Sequence, residues 1–351
     1  MNLRLADVGK SFGAVPVLSG VTLDVPPGSR MALVGPSGSG KSTLLRMIAG
    51  FERPDAGSIR LGDTVLADER TVVPAHRRGI GYVPQDGALF PHLSIARNIA
   101  FGLPRSADRA ARVREMMELT SLDPALAERA PHELSGGQQQ RAALARALAP
   151  APRVLLLDEP FSALDTALRS QTREATIDIL ERAGVTSVLV THDQDEALSF
   201  GDLIGVVGRG VLAQSGEPAA VFDAPVDLEV ARFLGAALEL PARRTGQGEV
   251  RCALGTIALR HDFAGPASEG VVMIRPEQVM STPAGAGRVD ATITARRATG
   301  ARSELRLVVD GGEAVRFWLP VPTHRALVTR DGDAVGLVVD GGGVFYAPDG
   351  R

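Results

Sequence analysis

Met31-Ala32-Leu33-Val34 runs directly into Gly35-Pro36-Ser37-Gly38-Ser39-Gly40-Lys41-Ser42-Thr43, and the reading of this junction decides the fold. The apolar quartet suits a short buried strand. The loop after it follows G-x-x-x-x-G-K-[ST], and a helix should start near Lys41 and end where Gly50 can occupy the position after the last turn. Glycines at these spacings let backbone N–H groups crowd around phosphate oxygens at the positive end of the helix. Lys41 then has the place to bridge the β- and γ-phosphates of a nucleotide, and Ser42 the place to ligate Mg²⁺. An ordinary glycine-rich turn would not require Lys41 and Ser42 where they stand.

Three further apolar runs end in polar residues suited to the same ligand. Val154–Leu157 reads as a strand buried on both faces that delivers Asp158 and Glu159 at its carboxyl end. Asp158 suits Mg²⁺ held through water, and Glu159 suits polarising the water that attacks the γ-phosphate. Ile80–Pro84 leads to Gln85, and Ser187–Val190 leads to Thr191 and His192. Each polar residue alone would read as a solvated turn or a satisfied surface group. Together they sit on the carboxyl edge, where open α/β sheets place ligands.

From Met1 to about Leu234, short apolar runs alternate with helix-like stretches, the order of an α/β domain with a largely parallel sheet. Beyond Leu240 the texture changes to short strands between Gly- and Asp-rich turns. Among them are Val271–Arg275, Ala291–Ala295, Glu304–Val309 and Ala314–Leu319. Two domains are therefore expected, 1–235 and 236–351, the second a small all-β barrel or sandwich.

Composition narrows the function classes. With 44% hydrophobic and 23% charged residues the 351-residue chain is globular, and its net charge of −3 gives no electrostatic reason to bind nucleic acid. Cys252 is the single cysteine, so an intrachain disulfide or a multi-cysteine zinc site is excluded. No apolar run approaches the roughly 20 residues of a membrane-spanning helix, and the N-terminal stretch lacks the pattern of a signal peptide. The expectation is a protein that stays in the cytoplasm and serves a membrane only from its surface.

Leu134-Ser135-Gly136-Gly137-Gln138 precedes a helix-like run, Gln139–Ala149, stopped by Pro150 and Pro152. Ser135 and Gln138 have capping-box spacing, so the bland reading is a capped helix. The functional reading is a second helix N-terminus able to hold phosphate. One nucleotide cradle and two phosphate-seeking ends per chain are reconciled by a head-to-tail dimer, each copy closing this segment over its partner's nucleotide.

With these motifs in this order the sequence closely resembles the ATP-binding cassette ATPases, along its whole length. The resemblance implies a P-loop NTPase domain followed by an OB-like domain, with ATP and Mg²⁺ bound at Gly35–Thr43, Gln85 and Asp158. By the same match, Gln85 looks like the loop glutamine that senses Mg²⁺ and the membrane subunit. Ser162-Ala163-Leu164-Asp165 looks like the loop that crosses the dimer interface, and His192 like the switch histidine on the γ-phosphate. Ser135, Gly136, Gly137 and Gln138 fall on the signature segment that completes the partner's site. Phe12 occupies the place of the aromatic that stacks on adenine, where many members have Tyr.

The β tail resembles the regulatory domain of importer ATPases, and Ile274-Arg275-Pro276-Glu277 looks like a short motif of that domain. This implies two integral membrane permease subunits, an extracytoplasmic solute-binding protein served indirectly, and a peripheral place on the cytoplasmic face of the cell membrane. Gln85–Leu93, Pro131–Arg141 and Ile274–Gln278 look most like ferric-iron importer ATPases. Similar stretches occur in subunits for polyamines, sulfate, thiamine and sugars, and a cassette ATPase outside transport is the further alternative.

Overall fold

In the computed structural model the chain opens with a hairpin, β1 (Leu3–Phe12) and β2 (Val15–Val25), before β3 (Arg30–Val34) delivers the glycine loop to α1 (Lys41–Ala49). The structure describes residues 1–351 apart from 86, 106, 163, 165, 300, 301, 310–314, 323–328 and 351. There follow β4 (Ala56–Leu61), β5 (Thr64–Ala67), β6 (Ile80–Val83), α2 (Ile95–Ile99), α3 (Arg109–Leu119) and α4 (Gly136–Leu148). Then come β7 (Val154–Asp158), α5 (Thr166–Ala183), β8 (Thr186–Thr191), α6 (Gln194–Phe200), β9 (Leu203–Gly208) and β10 (Val211–Gly216).

One sheet has the order β10-β9-β3-β8-β7-β6 and is parallel except for β10. Its central strands are buried on both faces, which is why Val154–Leu157 reads as an unbroken apolar run. A second, antiparallel sheet in the order β2-β1-β4-β5 was not anticipated from the sequence. Its strands carry bulges and interrupted alternation, so their period-2 signal is weak. Leu3 and Leu5 of β1, Leu44, Leu45 and Ile48 of α1, and Val154 and Val188 of the parallel sheet share one core cluster. Helix α1 is thus gripped on both sides, and the loop that precedes it is fixed to a rigid base.

The chain divides by contacts into Met1–Val221 and Phe222–Arg351. The division comes earlier than the break expected after Gly235, and it falls inside α7 (Pro218–Asp223). The reason lies in α8 (Leu228–Leu234), which packs with the β strands: Leu228 and Ala231 cluster with Met273, Val344 and Tyr346. Arg275, 4% exposed, donates Nη1 to the carbonyls of Ala231, Gly235 and Ala236, putting a cation at the negative end of α8.

In the C-terminal unit, β11 (Leu238–Gly246), β12 (Glu249–Cys252), β13 (Gly255–Asp262), β14 (Glu269–Ile274), β15 (Val279–Pro283), β16 (Val289–Thr299) and β17 (Arg302–Val309) come first. They are followed by β18 (Arg316–Pro322), β19 (Ala334–Val339) and β20 (Gly343–Tyr346). A closed barrel has the order β11-β12-β13-β20-β14, and a five-stranded sheet has the order β15-β19-β16-β17-β18. Both contribute to one core, with Leu240, Val272 and Phe345 from the barrel and Ile293, Leu305 and Leu337 from the sheet. Ala314, expected to start a strand, lies outside the described residues. Cys252 is half-buried, and burial pushes its thiol up.

Candidate nucleotide site

The site is assembled from strand ends. β3, β8, β7 and β6 are neighbours, so the loop at Gly35, the His192 turn, the Asp158–Glu159 pair and Gln85 emerge in that order along one sheet edge.

Gly38 and Gly40 have φ of 78° and 99°, left-handed values that glycine adopts without cost. A Cβ at Gly40 would stand 2.6 Å from Leu18 Cδ2, and one at Gly35 would stand 2.0 Å from the Val207 carbonyl oxygen. The loop therefore lies tight against its own unit at both ends, while Pro36, Ser37 and Gly38 are exposed. Gly40 occupies the N-cap of α1 and supplies no side-chain cap, so the first N–H groups of the helix are left for another acceptor. The opposite end of α1 is closed. Arg78, with no exposed surface, donates Nη1 to Met47 O at 2.7 Å and Ile48 O at 2.9 Å.

Lys41 is 5% exposed and donates to Gly35 O at 2.7 Å, Pro36 O at 2.9 Å and Ser39 Oγ at 3.4 Å. Burial lowers its pKa, and the carboxylates of Glu159 and Asp158 oppose that shift. A desolvated ammonium whose partners are only neutral oxygens gains by meeting an anion. Ser42 Oγ lies 3.1 Å from Asp158 Oδ1. Two hard oxygen donors side by side fit Mg²⁺, which prefers oxygen ligands. Thr43 follows in the first turn of α1, half-buried.

Asp158 Oδ2 accepts from Tyr82 Oη at 2.8 Å, a contact that sequence reasoning missed. Its signal is the alternation of β6, which places Tyr82 beside Leu156 on the neighbouring strand. Glu159 has φ of 44°, a conformation costing a non-glycine residue on the order of 1–2 kcal/mol. Its N–H donates to Val190 O at 2.9 Å and its carbonyl accepts from Ser162 Oγ at 2.8 Å. Thus held, its Oε2 stands 3.0 Å from His192 Nδ1. Gln85 is exposed and donates Nε2 to Ser162 Oγ at 3.2 Å. Ala163 and Asp165 of the expected interface loop lie outside the described residues.

Phe12 closes the β1–β2 hairpin opposite Val15; the residue is 49% exposed and the Lys10 ammonium lies 5.3 Å from its ring centroid. Ser135 and Gln138 form the expected capping box: Gln138 Oε1 accepts from Ser135 N at 2.9 Å, and Ser135 Oγ from Gln138 N at 3.4 Å. The helix begins at Gly136, three residues earlier than the Gln139 start read from sequence. Ser135 and Gly136 are exposed, Gly137 is buried, and none of the hydrogen bonds described for Ser135 and Gln138 reaches the glycine loop. The structure gathers Lys41, Ser42, Gln85, Asp158, Glu159 and His192, and leaves the Ser135 end apart from that network.

Comparison with known proteins identifies the family of the chain. Residues 18–162 match the ABC transporter family and residues 272–345 the TOBE domain. The chain is 49% identical to the Fe(3+) ions import ATP-binding protein FbpC 2 of Rhodococcus jostii over 98% of both chains. It is 56% identical to FbpC of Pseudomonas fluorescens over 79% of this chain and 78% of that one. A solved dimeric ATP-binding cassette in a post-hydrolysis state with ADP and Pi is 32% identical, covering 62% of this chain and 98% of its own, with a TM-score of 0.54. The structure of cbiO1 from Clostridium perfringens is 28% identical over 66% and 92% of the two chains, with a TM-score of 0.58. With a phosphate cradle, acidic pair and histidine on one sheet edge and near-full-length relatives at such identity, the chain belongs to the ABC transporter family of ATP-binding proteins.

Proposed function

We propose that the chain is the ATP-hydrolysing subunit of a ferric-iron importer, acting as a head-to-tail dimer beneath two integral membrane permease subunits. The observation that carries the ATPase role is the Glu159–His192 contact of 3.0 Å beside a lysine-bearing glycine loop. Iron as the cargo is supported by relatives named for Fe(3+) import that match this chain from end to end. Among the described residues no helix is long and apolar enough to cross a membrane, so passage is assigned to the partners.

Lys41 exchanges its bonds to Gly35 O and Pro36 O for the β- and γ-phosphates, joined by the free N–H groups at the start of α1. Ser42 and Asp158, with Gln85, would hold Mg²⁺, which when bound neutralises charge on the phosphate oxygens. Glu159 orients the attacking water and takes up its proton. His192 braces Glu159 through Nδ1 and offers its other nitrogen to the γ-phosphate. Phe12 gives adenine an exposed ring to stack upon. Ser135, Gly136, Gly137 and Gln138 of the partner close over the γ-phosphate, so its loss reopens the dimer.

The test is reconstitution in vesicles with the permease and solute-binding protein that accompany the chain, comparing ATPase stimulation by ferric-loaded and polyamine-loaded binding protein. Stimulation of at least about fivefold by the ferric form alone is expected. A polyamine-only response would reassign the cargo, and purification from membranes without an integral partner would remove the importer role.

A further inference from the structure

Arg169, near the start of α5, joins the two loops that flank Glu159. Its Nη2 donates to Leu164 O at 3.1 Å, within the segment that begins at Ser162. On the other side, Nη1 lies 3.6 Å from Asp193 Oδ2, and Nε lies 3.8 Å from Glu196 Oε1. Asp193 directly follows His192 and caps α6, and Glu196 lies in the first turn of that helix. Asp193 N donates to Thr191 Oγ1 at 3.0 Å, Thr191 Oγ1 donates to Glu196 Oε2 at 2.6 Å, and Asp193 Oδ1 caps α6 by accepting from Glu196 N at 3.0 Å.

His192 itself is mostly exposed, with one described bond, to Glu159, so its place must come from the turn that bears it. Glu196 is 3% exposed, and burial raises its carboxyl pKa, as does Asp193; the Thr191 hydroxyl, Arg169 and Arg173 oppose the rise. An ion pair in so dry a place matters more through geometry than through net stability. Arg169 Nε is itself enclosed and makes no hydrogen bond among the described residues, so the guanidinium is held there by charge alone on that side.

We infer that Arg169 is a positioning residue for hydrolysis: by grasping Leu164 O together with Asp193 and Glu196, it fixes the His192 turn against the Ser162 loop. His192 Nδ1 is thereby kept within reach of Glu159. The inference rests on the roles proposed for Glu159 and His192. It assigns to a side chain outside the proposed nucleotide contacts the register between the loop expected at the dimer interface and the histidine expected at the γ-phosphate. A closure signal arriving at Leu164 is thus passed to His192 through one guanidinium fork.

Full-length Arg169→Met, Arg169→Lys and Glu196→Gln are compared with wild type for kcat, KM, ATP affinity by displacement of a fluorescent nucleotide, melting temperature and pH profile. Arg169→Met is expected to lower kcat about 10- to 100-fold with KM within about threefold, the signature of misplaced chemistry over an intact cradle. Arg169→Lys, which keeps the charge but not the fork, should recover part of kcat. With Arg169 gone, Glu196 faces Asp193, Thr191 and Arg173 only, its pKa rises further, and the acid limb of kcat moves to higher pH. In Glu196→Gln the part of that limb set by Glu196 is lost and kcat falls.

Combined with Glu159→Gln, Arg169→Met should also weaken ATP-dependent dimerisation measured by size exclusion. A kcat within twofold of wild type in Arg169→Met overturns the inference. So does a loss shared equally by kcat, ATP affinity and melting temperature, with Arg169→Lys no better. Should Arg169→Met fail to fold, Glu196→Gln decides: an unchanged kcat with an unmoved acid limb sinks the idea. Wild-type turnover in Glu159→Gln alone would instead remove the reading of the site on which the inference stands.

Discussion

His192 Nδ1 stands 3.0 Å from Glu159 Oε2 while the Glu159 backbone is held at a φ of 44°. The two facts belong together. A left-handed glutamate immediately after β7 turns its side chain from the strand direction, and the bonds to Val190 O and from Ser162 Oγ fix the peptide on both sides. Backbone strain stored at a reacting residue lasts only where its surroundings over-determine it.

Glu159→Gln should retain ATP affinity within about threefold and lose about 10²- to 10³-fold in kcat, because the amide cannot take a proton from water. Phosphate release and nucleotide displacement read the two quantities separately. His192→Ala should lose far more in kcat than in ATP affinity, since it removes the brace on Glu159 and one γ-phosphate contact while the glycine loop still holds the nucleotide. Turnover near wild type in either variant would refute its assigned role.

Gly40→Ala should destabilise the N-terminal unit by about 1–3 kcal/mol, combining a Cβ at φ 99° with a contact of 2.6 Å to Leu18 Cδ2. Leu18 is buried and the Val17 carbonyl oxygen would stand 3.0 Å from the same Cβ, so the loop should shift and ATP affinity fall as well. Urea unfolding with tryptophan-independent far-UV detection gives the first quantity and nucleotide displacement the second. Unchanged stability would mean that the loop does not need its left-handed turn.

The candidate site was legible where chemistry is local to the chain. Gly35–Thr43, Asp158, Glu159, Gln85 and His192 each follow an apolar run, and the run itself announces a strand end. The Ser135–Gln138 capping box was readable for the same reason. What joins distant stretches was harder to read: the alternation of β6 shows a face for Tyr82 but not its partner Asp158, and Arg78 closing α1 and Arg169 between Leu164 and Glu196 left no trace, since all three depend on which elements become neighbours. In the fold, the parallel sheet announced itself through double-sided burial, whereas the bulged antiparallel sheet of β1, β2, β4 and β5 did not. Helix α8 was assigned by its helical pattern to the first domain, yet its packing partners are Met273, Val344 and Tyr346, far along the chain.

Glu196→Gln should change stability in a pH-dependent way opposite to that of a surface carboxylate. Burial raises the folded pKa of Glu196 above its unfolded value, so its stabilising contribution is complete below the usual glutamate range and is lost as pH rises through the folded pKa. Gln carries no charge to desolvate and can still accept from Thr191. The melting temperature of the variant relative to wild type should therefore increase between pH 4 and pH 8, by about 1–4 °C. A difference independent of pH would show that Glu196 is not strained by burial.

Arg275→Met tests the claim that α8 belongs to the β unit. The Arg275 guanidinium donates to Ala231 O at 2.8 Å and to Gly235 O and Ala236 O at 3.1 Å, and lies 4.3 Å from the Phe222 ring centroid. These carbonyls cluster at the end of α8, where the helix has no intrahelical donors left to offer. Methionine fills similar volume and leaves those acceptors without their cation, so the C-terminal unit should lose about 2–4 kcal/mol. Amide hydrogen exchange should rise in α8 and β14 and stay unchanged in α1 and β7, with ATP affinity preserved, because the nucleotide groups all lie in the Met1–Val221 unit. Protection of α8 equal to wild type would return the helix to the first domain and make Arg275 a bystander.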